Sequence, residues 1–159
     1  MKSLVLVTIA GLAISNSAFG APSSAKLLVP IHQFIASFNA GDTAKAAAAQ
    51  ARDVSIIDDI APHFWRGPKA FETWAADLAA DDKKSGISEE KVALGKTQRA
   101  LIDGDTGYAV LKAVYTFKQN GADMIETATM TFALKSGKAG WKITAWSWDG
   151  SVPHPVAAK

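Results

Sequence analysis

The hydrophobic period of the chain changes at about residue 91, and this change constrains the fold more than any other feature. Before it, Ile31, Phe34, Ile35 and Phe38 fall at i, i+3, i+4 and i+7, which is one face of a helix, with Pro30 acceptable near its first turn. After it, four runs with strand-like patterns follow one another, separated by turns that contain glycine. A helical half followed by consecutive strands predicts an α+β domain with a mainly antiparallel sheet.

Two more helices and one strand are expected in the helical half. Asp42 can cap a second, alanine-rich helix that runs to about Ala51. The β-branched run at residues 54–57 predicts a buried strand, and Pro68 opens a third helix on which Phe71, Trp74 and Leu78 share a face. The polar residues 81–86 are interpreted as a solvated connection.

The second half predicts consecutive hairpins. Its strand runs cover about residues 92–102, 108–118, 124–135 and 141–149. Asn120-Gly121 is a strong hairpin signal because both central residues of such a turn adopt positive φ. From Ala128 to Leu134 apolar residues alternate with threonines, so this strand has one buried face. Residues 151–159 are interpreted as a flexible tail.

The N-terminus has the pattern of a secretory signal peptide. A positive start at Met1-Lys2 precedes an apolar run from Leu4 to Ile14 and then a stretch of small residues. The expected cleavage lies before Ala21, so residues 1–20 are removed and residues 21–150 form the domain. The expected compartment is extracytoplasmic, the periplasm in a bacterium, with no membrane association after cleavage. An uncleaved membrane anchor is the alternative interpretation.

Composition excludes several classes of function. The 17 Lys plus Arg and 15 Asp plus Glu are interspersed, so no basic stripe indicates nucleic acid. The chain has no cysteine, which excludes disulfides, thiolate metal ligands and cysteine nucleophiles. His32, His63 and His154 are scattered, so no metal site is predicted. No phosphate loop, dinucleotide fingerprint or serine nucleophile elbow is present, and no cofactor is predicted.

The order of these elements and several short motifs resemble the nuclear transport factor 2-like, or SnoaL-like, superfamily. Residues 38–42 resemble its junction between the first two helices, and residues 56–59 and 65–68 resemble its first strand and the start of its third helix. Residues 140–143 resemble its last strand. The resemblance spans about residues 26–150 and implies a cone in which three N-terminal helices pack into a strongly curved, mainly antiparallel sheet that encloses a largely apolar cavity.

Within that superfamily, the ketosteroid isomerases suggest a role for Asp58. Their general-base aspartate lies at a fixed distance before a glycine, and Asp58, nine residues before Gly67, matches that position. Two other positions differ, because Phe34 stands where the isomerases have a tyrosine donor and Ala128 where they have a protonated aspartate. Loss of one oxyanion donor typically costs about 2.7–4 kcal/mol of transition-state stabilisation, so steroid isomerisation is not the favoured function.

Three polar residues are the catalytic candidates. Asp58 is favoured over Asp59 because adjacent residues of an extended segment point to opposite sides, and apolar surroundings would raise its pKa toward that of a useful general base. The alternative is that the two aspartates only bind loop amides or an indole. His63 could form an acid–base pair with them or lie exposed in its loop. Tyr115 could place a hydroxyl in the cavity.

Aromatic residues are expected in the cavity and at an interface. The chain has five tryptophans. Strand alternation places Trp146 and Trp148 on the face opposite Trp141, unless a bulge intervenes, and there they could anchor a homodimer. For Trp74 and Trp141, a place in the packed core is the favoured explanation. The residues predicted to line the cavity, besides the catalytic candidates, are Phe34, Phe38, Asp59, Trp65, Phe71, Trp74 and Met130.

Three functions fit these features. The first is a secreted domain that binds a small, mostly apolar molecule in its conical cavity. The second is an acid–base enzyme of the isomerase, dehydratase or cyclase type, with Asp58 as base. The third is a non-catalytic dimeric interaction module. The sequence ranks them in this order and leaves open whether the protein is an enzyme.

Overall fold

The structure, a computed structural model, describes residues 21–157, with side chains from residue 24 onward. Its three helices are α1 (Ala21–Asn39), α2 (Thr43–Ala48) and α3 (Ala70–Ser85). Its strands are β1 (Gln50–Ile57), β2 (Phe64–Arg66), β3 (Ile87–Asp103), β4 (Thr106–Gln119), β5 (Ala122–Gly137), β6 (Gly140–Gly150) and β7 (His154–Pro155). The predicted α+β class is confirmed. The predicted signal peptide, residues 1–20, lies outside the described residues and stays a prediction, as does secretion.

All seven strands belong to one curved, unclosed sheet against which the N-terminal helices pack. The strand order is β2-β1-β6-β5-β4-β3, and β7 pairs with β5. Among the strand pairs of residues 21–157, β1–β6 is the only parallel one. The four long strands follow each other as hairpins, as predicted, and in the turn after β4 Asn120 and Gly121 have φ of 51° and 87°. Short β2 was not predicted.

The first helix begins before the predicted stripe, and Pro30 lies in its interior. The expectation that Pro30 lies near the first turn is therefore wrong. Leu27 and Ile31 are both fully buried, so the apolar face continues on each side of the proline. Burial of this face against the sheet outweighs the one backbone hydrogen bond that a proline removes.

The two following helices end at places other than those expected. The α2 helix, capped by Asp42 as predicted, ends at Ala48 and not at Ala51, because Gln50 already pairs with β6. The α3 helix includes most of the predicted solvated connection. It continues to Ser85 and ends where Gly86 adopts φ of 69°, a conformation typical of a helix C-terminus.

Residues 154–156, near the end of the chain, are hydrogen-bonded to the sheet. Residues His154–Pro155 pair with Ile125 and Met124 of β5, and Val156 donates its backbone N–H to the carbonyl of Asp123. The prediction of a flexible tail over residues 151–159 is thus wrong for this part of it. No helix within residues 21–157 is long and apolar enough to cross a membrane.

Candidate functional site

A cavity of about 480 Å³ lies between the helices and the concave face of the sheet. The helices α1 and α3 form one wall, strands β3–β6 form the opposite wall, and the loop after β1 forms the rim. Its walls are mostly aliphatic and aromatic. The lining residues are Phe34, Ile35, Phe38, Asp58, Asp59, Ile60, Ala61, His63, Trp74, Leu78, Asp81, Asp82, Ile87, Glu90, Val92, Tyr115, Phe117, Glu126, Met130, Trp146, Trp148 and Pro153.

An aromatic cluster holds the inner part of the cavity in shape. Trp74 of α3 packs edge-to-face on Trp146 of β6 with ring centroids 4.9 Å apart. Phe34 of α1 contacts both rings, at 6.3 Å and 5.3 Å. These three side chains are at most 4% exposed, so the helices and the sheet meet through large rings that have little room to move.

Asp58 lies where β1 ends and its side chain is fixed by two hydrogen bonds. Its Oδ2 accepts from Nε1 of Trp74 at 2.8 Å, and its Oδ1 accepts from the backbone N–H of Asp59 at 2.7 Å. Burial raises the pKa of Asp58 to about 7, and the adjacent Asp59 carboxylate adds to this effect, while the Trp74 indole partly opposes it. At neutral pH this carboxyl group can therefore both accept and release a proton.

His63 does not form the side-chain pair that was considered for it. Its ring is exposed, and Nδ1 lies 3.3 Å from the backbone carbonyl oxygen of Asp58, not from a carboxylate. The backbone of His63 accepts from the N–H of Asp58 at 3.2 Å, which fixes the loop. His63 and the exposed Asp59 both lie at the rim of the cavity.

A second polar group of the cavity is formed around Tyr115. Tyr115 of β4 donates its hydroxyl to Oε2 of Glu90 on β3 at 2.8 Å. Asp82 of α3 lies next to Glu90, and its pKa is raised to about 7, first by burial and then by the Glu90 charge. The pKa of Tyr115 is raised by burial and by the same carboxylate, so its hydroxyl stays protonated and acts as a donor.

Glu126 is the most deeply buried acid of the cavity, with 4% of its surface exposed. Its Oε1 accepts from Nε1 of Trp148 at 2.8 Å. Burial raises the pKa of Glu126, and the Trp148 hydrogen bond partly opposes the rise. Glu126 lies directly opposite Tyr115 in the pairing of β4 with β5, so the second and third polar groups are neighbours.

The structure brings most of the predicted site residues together. Asp58, His63 and Tyr115 all line the cavity. So do Phe34, Phe38, Asp59, Trp74 and Met130. Trp65 and Phe71 do not, and their predicted place is wrong. Both are buried in the core, where Trp65 donates its indole N–H to Asp77 and Phe71 packs on Trp74.

Trp146 and Trp148 also lie elsewhere than expected. The pairing with β5 shifts between Leu134↔Ile143 and Ala133↔Ala145, so β6 carries a bulge. One extra residue reverses the alternation, and both tryptophans point into the cavity. The prediction that they lie on an outer face is wrong for this reason. A homodimer stays a prediction, without these two residues as its anchors.

Sequence reasoning missed several acidic residues, namely Asp81, Asp82, Glu90 and Glu126. The inward position of Glu126 could have been predicted, because it lies two and four residues before Ala128 and Met130 and thus falls on the same, buried face of β5. Asp82 was missed because it lies in a polar stretch of the sequence that is typical of a solvated loop. Within residues 24–157, no three histidine or acidic side chains converge closely enough to hold a metal ion.

The model of the SnoaL-like domain family matches residues 30–155, and the chain belongs to this family. No curated protein matches the chain in sequence. The structure is similar to the hexachlorocyclohexane dehydrochlorinase LinA-type3 from Novosphingobium barchaimii, with a TM-score of 0.72 and 10% identity over 87% of this chain and 92% of that one.

Two further solved structures share the fold. A ketosteroid isomerase-like protein from Erwinia carotovora atroseptica has a TM-score of 0.66 and 12% identity over 84% of this chain and 100% of that one. An NTF2-like protein with a cystatin-like fold from Novosphingobium aromaticivorans has a TM-score of 0.63 and 14% identity over 78% of this chain and 79% of that one. At such identities the likeness shows the conical fold and no more.

Proposed function

We propose that this protein binds a small, mostly apolar molecule in the cavity and fixes its orientation through Asp58. The observation that supports this proposal is the cavity itself. Its volume of about 480 Å³ lies within the range of about 300–1,000 Å³ that is usual for small-molecule sites. Apolar and aromatic walls supply affinity by burial, and a few polar groups supply orientation.

Native mass spectrometry of protein purified gently from a secreting host tests this proposal. We expect an additional mass of a small organic molecule on the folded protein. The variant Leu78→Trp places a larger ring at a half-buried position of the cavity wall, and we expect it to lose that mass. Leu101→Trp is the matched control, because Leu101 is 55% exposed and outside the cavity. A ligand mass that persists in Leu78→Trp would place binding elsewhere.

A second candidate function is acid–base catalysis with Asp58 as the proton acceptor. The observation that favours it is the geometry of Asp58, whose carboxyl group has a pKa of about 7 and two hydrogen bonds that hold it at the cavity wall. A base with a pKa near the working pH is the most effective. Two proteins of similar fold are named as a dehydrochlorinase and as ketosteroid isomerase-like, and this analogy of fold is compatible with the second candidate.

Hydrogen–deuterium exchange of a simple carbon acid tests the second candidate. 2-Tetralone is an apolar ketone with acidic C–H bonds next to its carbonyl, and its exchange in D₂O is measured by NMR. We expect the protein to accelerate this exchange and Asp58→Asn to lose at least about 100-fold of the acceleration. Asp53→Asn, at an exposed position of β1, is the control. Equal exchange with Asp58→Asn and the unmodified protein would remove Asp58 as the base.

A further inference from the structure

The charged residues that line the cavity are all acidic. Among its residues are six acids and no lysine or arginine, and His63 at the rim is the single basic residue of that lining. The acids are Asp58, Asp59, Asp81, Asp82, Glu90 and Glu126. The whole chain carries a net charge of +2, so this accumulation of acidic groups belongs to the cavity and not to the composition.

The protein supplies these acids with neutral partners only. In the described part of the chain, the ion pairs join Lys45 to Asp42, Lys118 to Glu89 and Lys135 to Asp105, and none of those acids lines the cavity. The hydrogen bonds to the cavity acids come instead from indole, hydroxyl and backbone N–H groups. Burial raises the pKa of Asp58, Asp82 and Glu126, and neighbouring carboxylates add to the rise, Asp59 for Asp58 and Glu126 and Glu90 for Asp82.

Two aromatic faces meet beside two of these acids. The rings of Tyr115 and Trp148 lie 6.0 Å apart at an interplanar angle of 82°. Tyr115 donates to Glu90 and Trp148 donates to Glu126, so each ring carries a carboxylate at its edge. We call these four residues the acidic–aromatic corner. Perpendicular aromatic faces next to carboxylates are an arrangement that recognises ammonium groups.

One buried donor of the same cavity has no acceptor. Trp146 lines the cavity and is 3% exposed, yet its Nε1–H has no hydrogen-bond partner in the structure. A buried unpaired donor is rare in folded proteins. An acceptor atom on a bound molecule would complete its hydrogen bonding, which is a second sign, independent of the charges, that the cavity is completed by a ligand.

We propose that the cavity selects organic cations, so that its ligand is a small apolar molecule with a protonated amine or quaternary ammonium that lies in the acidic–aromatic corner. This proposal rests on the proposed binding function and specifies the class of ligand. A bulky cation suits the geometry better than a metal ion, because two of the acids are hydrogen-bonded to aromatic side chains, and no three of them within residues 24–157 converge on one point.

Calorimetric titration with three probes of equal size tests the charge preference. 2-(2-Naphthyloxy)ethylamine, 2-(2-naphthyloxy)ethanol and (2-naphthyloxy)acetate carry charges of about +1, 0 and −1 at neutral pH and share an ether oxygen as acceptor. We expect the amine to bind at least about ten-fold more tightly than the alcohol and the acetate not to bind measurably.

The outcomes separate this proposal from the binding function. Equal affinity of the amine and the alcohol would overturn the cation preference and leave the binding of apolar molecules intact. Absence of binding by all three probes would overturn both. A tighter binding of the acetate would contradict the charge argument directly.

Variants of the acidic–aromatic corner locate the cation. Glu126→Gln and Glu90→Gln each keep an oxygen acceptor for Trp148 or Tyr115 and remove one negative charge. We expect each to lower the ratio of amine to alcohol affinity at least about three-fold. Glu89→Gln is the matched control, because Glu89 is exposed and outside the cavity. If Glu126→Gln does not fold, Glu90→Gln decides the question, and an unchanged ratio there would overturn the proposal.

Discussion

The carboxyl group of Asp58 makes the stability of the protein depend on pH. Its pKa is about 7 in the folded protein and near 3.8 when unperturbed, so between these values the folded state binds more protons than the unfolded chain. The contribution of this group to the free energy of unfolding is therefore fully present below about pH 3.8 and is lost as the pH rises through about 7. We predict that Asp58→Asn reduces the fall in Tm between about pH 4 and pH 8 by roughly 2–8 °C, measured by circular dichroism.

The control for this prediction is Asp53→Asn, which changes the same side chain at an exposed position of β1. We expect its Tm to follow that of the unmodified protein at each pH. Asp82 and Glu126 also have raised pKa values, so part of the pH dependence will persist in Asp58→Asn. A Tm profile of Asp58→Asn that runs parallel to that of the unmodified protein would show that Asp58 does not bind the proton assigned to it.

For single residues, the sequence predicts the side of a strand on which a side chain lies better than it predicts how deeply that side chain is buried. The sequence favoured an inward Asp58 over Asp59, because adjacent residues of an extended segment point to opposite sides and Asp58 matches the general-base position of the ketosteroid isomerases. The same alternation places Glu126 inward, but its burial depends on Trp148, which approaches from the next strand. A contact between residues 22 positions apart cannot be predicted from a local pattern, and a lone glutamate in a strand gives no sign of what covers it.

Among the elements, β6 shows how one extra residue changes the site. Strict alternation predicts that Trp146 and Lys142 share a face, whereas the bulge after Ile143 turns Trp146 inward. A bulge depends on pairing with the neighbouring strand, and no residue type within β6 marks it. The helices and the long strands could be predicted, because hydrophobic period and turn glycines are local, whereas short β2 and β7 could not. The face that each strand presents depends on register.

The end of β6 also fixes the position of Glu126. A Cβ atom at Gly150 would lie 1.7 Å from Oε1 of Glu126 and 2.7 Å from Nε1 of Trp148. We predict that Gly150→Ala separates these two groups and lowers the free energy of unfolding by about 1–3 kcal/mol, measured by urea denaturation. Gly137→Ala is the control, because its Cβ would meet nothing within 4 Å. Equal stability of the two variants would contradict this close packing.

For the whole molecule, the conical fold could be predicted from the sequence and the chemistry of its interior could not. The order of helices and hairpins can be predicted because each element is marked by a hydrophobic period and turn residues within its own segment of the sequence. The acidic–aromatic corner and Asp82 instead come together from α3, β3, β4, β5 and β6. Asp82 lies in a polar stretch that is typical of a solvated loop, and only the packing of α3 turns it toward the cavity.

Residues 151–157 close one side of this cavity, although their sequence is typical of a frayed tail. Pro153 is part of the lining, and the N–H of Ser151 donates to the carbonyl of Thr127 at 2.9 Å. Strand β7 then covers the free edge of β5 just before Glu126. A chain that ends at Gly150 would expose this edge to water and widen the cavity mouth.

We predict that a chain ending at Gly150 has a lower Tm and binds 2-(2-naphthyloxy)ethylamine at least about three-fold more weakly than the full chain, because water then reaches Glu126 and screens its charge. Thermal unfolding and calorimetric titration measure the two effects. A chain that ends at Ala157 keeps β7 and serves as the control, with both values unchanged. If the shorter chain matched it in Tm and affinity, the tail would have no part in the cavity, and the charge of Glu126 would be shielded from water by the sheet and Trp148 alone.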